Sequence, residues 1–326
     1  MPSSISPFDF MTSTVCGLNS LRRRILGSLC LISMFVLGSA HAHSTHTVDT
    51  ANGKVEAPAH PERVIILDEA ALDTALAVGV KPVGTVASRG STGVASYVQD
   101  KAGDIAIVGT AREFNLEAML AQRPDVILAP PALPQDKYAM LSKLAPTIVP
   151  EGKTTDPWEE RVRAYGDALG KRAEVDASLV AIQERVQKLK AEIQQKLPGD
   201  TVVSVVRWMP QGPMVMSDKV FAGQMLASLG LESTELAASI KDKPHSDILS
   251  LENLSAVDGD WLILATLNED GRTTLEAARK QPAFTRLGAV SKGNVATVDG
   301  QVWSSGTGPI AAERLLSDVE TILLDK

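Results

Sequence analysis

The chain has 326 residues, 44% of them hydrophobic and 22% charged, with a formal net charge of −7 and two cysteines. That length suffices for two lobes around a hydrophobic core, and the negative charge makes nucleic acid and anionic membranes poor partners. Both cysteines, Cys16 and Cys30, precede residue 43, so disulfides do not hold the remainder together.

Residues 1–42 read as a cleavable secretory signal. Arg22, Arg23 and Arg24 precede an apolar run from Ile25 to about Gly38, and Ala40-His41-Ala42 gives a small-x-small cleavage pattern. The run is shorter than the roughly 20 residues a membrane span needs. Cys30 lacks the small-residue context of a lipoprotein signal, and the arginines leave the Sec and twin-arginine routes both open. The expected location of residues 43–326 is the periplasm.

Strands then alternate with helices. "RVIIL" (63–67) is a short apolar strand, "EAALDTALAVGV" (69–80) a helix ended by Gly79, and "KPVGTVA" (81–87) a second strand. "IAIVGT" (105–110) is a strand, "NLEAMLAQRPDVILAPP" reads as helix, turn, strand and loop, and 137–149 as helix then strand. Residues 156–199 are charged, with apolar residues at three-and-four spacing and a Pro-Gly stop, so they form long helix, with Gly170 as a break point. Strands return at 202–206, 213–217, 261–265 and 294–298, with helices at 218–231, 250–257 and 309–324. This pattern predicts an α/β fold: two α/β lobes with mostly parallel sheets joined by one long helix, with a ligand cleft between the lobes. The expected division is an N-terminal lobe over 43–155, an interlobe helix over 156–197 and a C-terminal lobe over 198–326.

Four passages, "HPERVIILDEAALDTALAVGVKPVG", "IVGTAREFNLEAMLAQRPDVILAPP", "FAGQMLASLGL" and "VATVDGQVWSSGTGPIAAERLL", together resemble the iron-siderophore substrate-binding proteins of ABC importers. That group includes the ferric-dicitrate and ferrichrome binding proteins. The resemblance covers nearly all of the chain after the signal. It implies periplasmic capture of a ferric siderophore, delivery to an inner-membrane ABC permease, and small hinge motion in a monomer.

The stretch "VVSVVRWMPQGPMVMSD" (202–218) ends a β-branched strand with a cation and the largest aromatic. At a strand's carboxyl end, Arg207 and Trp208 are expected in the cleft. A siderophore's own oxygens saturate Fe(III), so the protein needs a permanent cation for exposed oxygens and flat aromatics for the organic body. No metal ligands and no cofactor are expected of the chain itself. Arg112 in "GTAREFNLE" follows a strand and precedes a helix; the resemblance places an arginine of this loop on the ligand. Arg89, in the loop after the second strand, faces the cleft in the same plan. Tyr97 in "GVASYVQD" is a weaker candidate. The resemblance places Trp303 on the cleft wall, with Ser304 and Ser305 as donors or ordinary turn residues. The aromatic that ferrichrome-type proteins carry after the "VIL" strand is replaced here by Ala132 and Leu133. Asp68 and Glu69 read as caps of the first helix, with a pocket role as the alternative. Glu117 and Glu252 occupy matching places near a helix start in each lobe. The resemblance implies that they dock on permease arginines, one per lobe, where such pairs set orientation; the plain alternative is a dipole contact.

Heme binding, or cobalamin binding, is the alternative within the same superfamily. Heme needs an axial Tyr or His, and of His43, His46, His60 and His245 only the last falls near the cleft. A periplasmic hydrolase is disfavoured, since no Gly-x-Ser-x-Gly elbow, Walker lysine or cysteine nucleophile occurs after residue 42.

Overall fold

A computed structural model describes residues 44–325. The predicted signal, both cysteines and His43 lie outside the described residues. The first described element is a hairpin of β1 (Thr45–Thr50) and β2 (Gly53–Pro58), which the sequence reading did not contain. Thr50 pairs with Gly53, leaving Ala51-Asn52 as a two-residue turn. Its strands are largely polar, so hydrophobic alternation does not announce them. His46 sits in β1 with Nε2 2.8 Å from the Asp167 carbonyl, so it belongs to the folded body rather than to a loose terminus.

The first lobe is built on β3 (Val64–Ile66), β4 (Gly84–Ala87), β5 (Ala106–Thr110), β6 (Val126–Leu128) and β7 (Thr147–Ile148). They form an all-parallel sheet in the order β5-β4-β3-β6-β7. Helices cover both faces, so β3 and β6 are buried along their whole length and read as continuous apolar runs. Asp68 starts helix Glu69–Ala77, its Oδ1 accepting from Ala70 N at 2.9 Å and Ala71 N at 3.1 Å.

The second lobe holds β8 (Val203–Met209), β9 (Gly212–Val215), β10 (Trp261–Thr266) and β11 (Val295–Asp299) in the order β11-β10-β8-β9, with β9 antiparallel to β8. The segment expected as a helix over 218–231 is helical only over Phe221–Ser228, and 250–257 is a 3₁₀ helix, Leu251–Val257. Helix Glu269–Ala278 was not expected: it carries Gly271 and two threonines, and it starts from Asn268, whose Oδ1 accepts from Gly271 N at 3.0 Å.

Between the sheets the chain forms two helices, Trp158–Ala168 and Arg172–Lys196, interrupted at Gly170. The second has 25 residues, about 38 Å at 1.5 Å per residue. Val175, Leu179, Ile182, Val186, Leu189 and Ile193 form its buried stripe at alternating four-and-three spacing. They pack with the final helix, Pro309–Leu324, and one face of the β8–β10 sheet in a single core cluster. Arg185 clips the long helix to the final one, pairing with Glu313 and donating to Ser317 Oγ at 2.9 Å.

The lobes also meet at a seam beside this helix. Asp73, on helix Glu69–Ala77 and fully buried, accepts from Ile310 N and Ala311 N, each at 2.8 Å. It therefore caps the final helix from the other lobe, a place where that helix has no side-chain cap of its own. Gly308 sits at φ 134°, and a β-carbon there would collide with the Asp73 carboxyl group, so both the turn and the close approach demand glycine. Ser96 N donates to Gln301 Oε1 at 2.8 Å across the same seam.

Candidate functional site

The carboxyl ends of the sheets face a tight cleft of about 110 Å³, the position where open α/β sheets bind ligands. The first lobe contributes Asp68, Glu69 and Arg89; the interlobe segment contributes Thr154 and Arg161; the second contributes Met216, Phe221, Pro244 and Trp303 to Thr307. Larger hollows lie elsewhere, including one of about 360 Å³ under helix Phe221–Ser228 and one of about 600 Å³ beside the long helix. Neither gathers arginines from several elements.

Arg207 is buried beside this lining, 6% exposed, near the carboxyl end of the central strand β8. Burial and the facing Arg89 lower its guanidinium to about 10, with Glu69 opposing the shift. It remains a cation at neutral pH. Its Nε has no hydrogen-bond partner among the described residues, and neither has the Nε of Arg161. The Ser305 hydroxyl, on the cleft wall, is buried and unpartnered as well, whereas Ser304 Oγ donates to the Gly300 carbonyl at 2.7 Å. Buried polar groups are normally satisfied, and here three donors beside one cleft have no partner among the described residues.

The acids are less free. Asp68 is held by the helix it caps. Glu69 Oε1 accepts the Arg89 backbone N–H at 2.9 Å, and Oε2 lies 3.9 Å from Arg89 Nε. Burial pushes the Glu69 carboxyl above its ordinary value, against the pull of Arg89. His245 follows cleft residue Pro244, and its Nδ1 lies 2.7 Å from the Ser246 carbonyl. Burial, with Arg207 and Arg89 nearby, lowers its pKa.

Trp208 does not reach the cleft. Successive residues of a strand point to opposite faces: Val203 and Val205 join the core cluster on one side of β8, and Val206 and Trp208 join the other. Arg207 falls with the first set. Trp208 is 1% exposed and meets Phe284 edge-on, with ring centroids 6.2 Å apart. Tyr97 does not line the cleft either. It packs against the cores of both lobes, and its hydroxyl bonds to Asp73 at the seam. Arg112 lies on the carboxyl edge of the first sheet but at edge strand β5, exposed and outside the cleft lining; its carbonyl accepts from Lys137 Nζ at 2.8 Å. Trp303 lines the cleft, yet its ring is 1% exposed and its indole N–H donates to Asp318 at 2.9 Å. It is a wall with no free donor. Arg89 stands at the mouth, its side chain 56% exposed. The next residue, Gly90 at φ 77°, passes so close to Leu267 of the other lobe that a β-carbon would lie 2.8 Å from Leu267 Cβ.

Arg161 was not anticipated. Its signal was available: it stands three residues after Trp158 and four before Tyr165, both buried, and so shares their inward face. An arginine in a helix's opening turns also opposes the dipole.

Glu117 and Glu252 are exposed, each in the first turn of a short helix, Leu116–Ala121 and Leu251–Val257. Exposed apolar side chains flank them: Leu120, 59% exposed, in the first lobe, and Ile248 and Leu251, 48% and 39% exposed, in the second. Among the described residues, no group of three or more His, Cys, Asp or Glu is placed to hold a metal ion, and no helix is long and apolar enough to cross a membrane.

The family model described as periplasmic binding protein matches residues 64–302. The chain is 29% identical over 289 residues to the probable siderophore-binding lipoprotein YfiY of Bacillus subtilis, covering 86% of this chain and 88% of that one. It is 28% identical over 295 residues to the Fe(3+) dicitrate-binding periplasmic protein FecB of Escherichia coli, covering 90% and 94%. Among solved structures, Staphylococcus aureus SirA complexed with staphyloferrin B aligns with a TM-score of 0.75 at 25% identity, covering 86% of this chain and 98% of that one.

Proposed function

Since this chain belongs to the periplasmic binding protein family, we propose that it captures an anionic ferric siderophore in the interlobe cleft and delivers it to an ABC permease. The observation that carries the ligand class is the pair of buried, unpartnered guanidinium Nε atoms of Arg161 and Arg207 beside one cleft. Two permanent cations with free donors recognise carboxylate or catecholate oxygens that project from a chelate. Ser305 supplies a third donor, Arg89 a cation at the mouth, and Trp303 and Phe221 apolar walls. In this reading the chelator's own oxygens hold the iron. The protein acts as a monomer that is exported by the signal over 1–42, and it does no chemistry on its cargo.

Ligand pockets commonly enclose about 300–1,000 Å³, whereas this cleft offers about 110 Å³. Capture therefore requires the Arg89 loop and the Pro244 loop to move apart. The long helix and the Asp73 seam limit that movement to the mouth side.

Tryptophan fluorescence of the chain from residue 43, titrated with ferric citrate, ferric hydroxamates, ferric catecholates, hemin and cobalamin, tests the reading. Saturable quenching by one ferric chelate at micromolar concentration or below supports it. Quenching by hemin alone, or by no member of the panel, overturns it.

A further inference from the structure

A carboxylate is an unexpected wall for an anion's cleft, and Glu69 is that wall. The inference drawn from it rests on the ferric-chelate reading above. Glu69 opens its helix just after β3, the middle strand of the first sheet, and lines the cleft with its side chain 19% exposed. Its two oxygens differ. Oε1 is occupied by the Arg89 backbone N–H at 2.9 Å. Among the described residues, Oε2 has only the loose approach of Arg89 Nε at 3.9 Å, beyond hydrogen-bond range. An anionic chelate drawn to Arg161 and Arg207 brings acceptor oxygens toward that second oxygen, and two unprotonated acceptors cannot hydrogen-bond.

We propose that Glu69 is a specificity-determining residue that takes up a solvent proton on Oε2 when a carboxylate-type ferric chelate binds, and through it donates a hydrogen bond to the ligand. The step moves one proton from water to Oε2 and breaks no other bond. A chelate that offers its own hydroxyl or amide N–H at this place is accepted by the ionised carboxylate with no proton uptake. The cleft thereby distinguishes an all-acceptor ligand face from one that carries a donor, and it does so in a pH-dependent way.

The groups facing Glu69 fix the sign. Burial, and Asp68 on the same turn, raise its pKa; Arg89 and Arg207 lower it; the net direction is upward. Tyr97 also feels its charge. Arg161 lines the same cleft, and His245 follows the cleft residue Pro244. A bound anion raises Glu69 further, so between the free and bound values binding consumes protons and affinity rises as pH falls. His245 also gains charge at low pH, but it does so equally when Glu69 is replaced.

The test is titration calorimetry of the chain from residue 43 with ferric citrate, between pH 5.5 and 7.5, in two buffers of different ionisation enthalpy. The wild type is expected to take up a fraction of a proton, with Kd tightening by up to about tenfold per pH unit. Glu69→Gln keeps an acceptor for the Arg89 N–H. It should lose most of the uptake, flatten the profile and bind more tightly at pH 7. Glu69→Asp keeps the charge and should keep the slope. Equal proton uptake in the wild type and Glu69→Gln overturns the inference and leaves the siderophore reading intact. Failure of ferric citrate to bind either form also overturns it, and the wider reading falls with it only if ferric catecholates and hydroxamates fail as well.

Discussion

Two polar places lie where the lobes meet, and their hydrogen-bond accounts are opposite. At the seam, Asp73 is fully buried and every group it meets is a donor: Ile310 N, Ala311 N and the Tyr97 hydroxyl. At the cleft, Arg161 Nε, Arg207 Nε and Ser305 Oγ are buried with no partner among the described residues. An unmade buried hydrogen bond costs about 1–3 kcal/mol. A fold tolerates that cost where a ligand later relieves it, and avoids it where the job is to hold. Satisfaction is what separates the two places.

The strongest way to break this distinction is to delete both cleft cations. Arg161→Ala with Arg207→Ala should weaken binding of the ferric chelate at least about a hundredfold, since each charged hydrogen bond contributes roughly 1.5–3 kcal/mol. The melting temperature should stay level or rise, because unpaired buried cations are removed. A lower melting temperature with intact binding would make them structural groups. The neighbour of Arg207 behaves in the opposite way. Trp208→Ala should cost about 4 kcal/mol of stability, as large-to-small changes of buried aromatics do. The folded protein that remains should bind within about threefold of wild type. Urea denaturation and fluorescence titration separate the two outcomes.

The seam responds to pH. Burial pushes Asp73 up to about 7, while the backbone N–H groups of Ile310 and Ala311 and the Tyr97 hydroxyl hold it down. In the unfolded chain an aspartate titrates near 3.9. The folded state therefore binds the proton more tightly, and this stability is complete below about pH 4 and lost as pH rises to about 7. The upper bound is about 4 kcal/mol, at 1.36 kcal/mol per pKa unit. Asp73→Asn keeps one acceptor and sets an amide N–H against the other helix N–H, so it should cost about 2 kcal/mol at pH 5. The gap between variant and wild type should narrow toward pH 8, as the wild type loses its advantage. A gap that widens with pH would mean that the carboxylate caps as an anion throughout.

The sequence carried the architecture because the architecture is hydrophobic pattern. Parallel strands such as Val64–Ile66 and the three-and-four stripe of the long helix announce themselves by what they bury. The hairpin of β1 and β2 did not, being mostly polar. Arg207 stands out in the sequence as a cation after the valines Val202, Val203, Val205 and Val206. The cleft is not legible at Trp208, which shares a strand end with Arg207 but not a direction, because the pleat sends adjacent side chains apart. Tyr97 and Asp73 lie far from Ile310 in sequence, and no local pattern shows that a helix is capped from the other lobe. Arg161 was hidden among Glu159, Glu160 and Arg163, a charged run that looks like solvated surface. Only the burial of Trp158 and Tyr165 gives its face away.

The smallest effect on the isolated protein is expected at Glu117 and Glu252. Both are exposed, and neither makes an ion pair among the described residues. Surface substitutions of this kind change stability by less than about 0.5 kcal/mol. Glu117→Ala with Glu252→Ala should therefore leave unfolding and chelate affinity as they are. The carboxylates still stand one per lobe, each beside exposed apolar side chains. Leu120, three residues after Glu117, shares its helix face; Ile248 and Leu251 adjoin Glu252. Charge at such a rim guides encounter and orientation, and the apolar neighbours supply area that leaves water on contact. If the two places are where a permease holds the lobes, iron uptake by cells carrying the double variant falls at least about tenfold while the purified protein binds its chelate normally. Leu120→Ser should add to that loss without touching binding. Uptake at the wild-type rate would return both glutamates to the ordinary role of acids in a first turn, favouring the helix dipole.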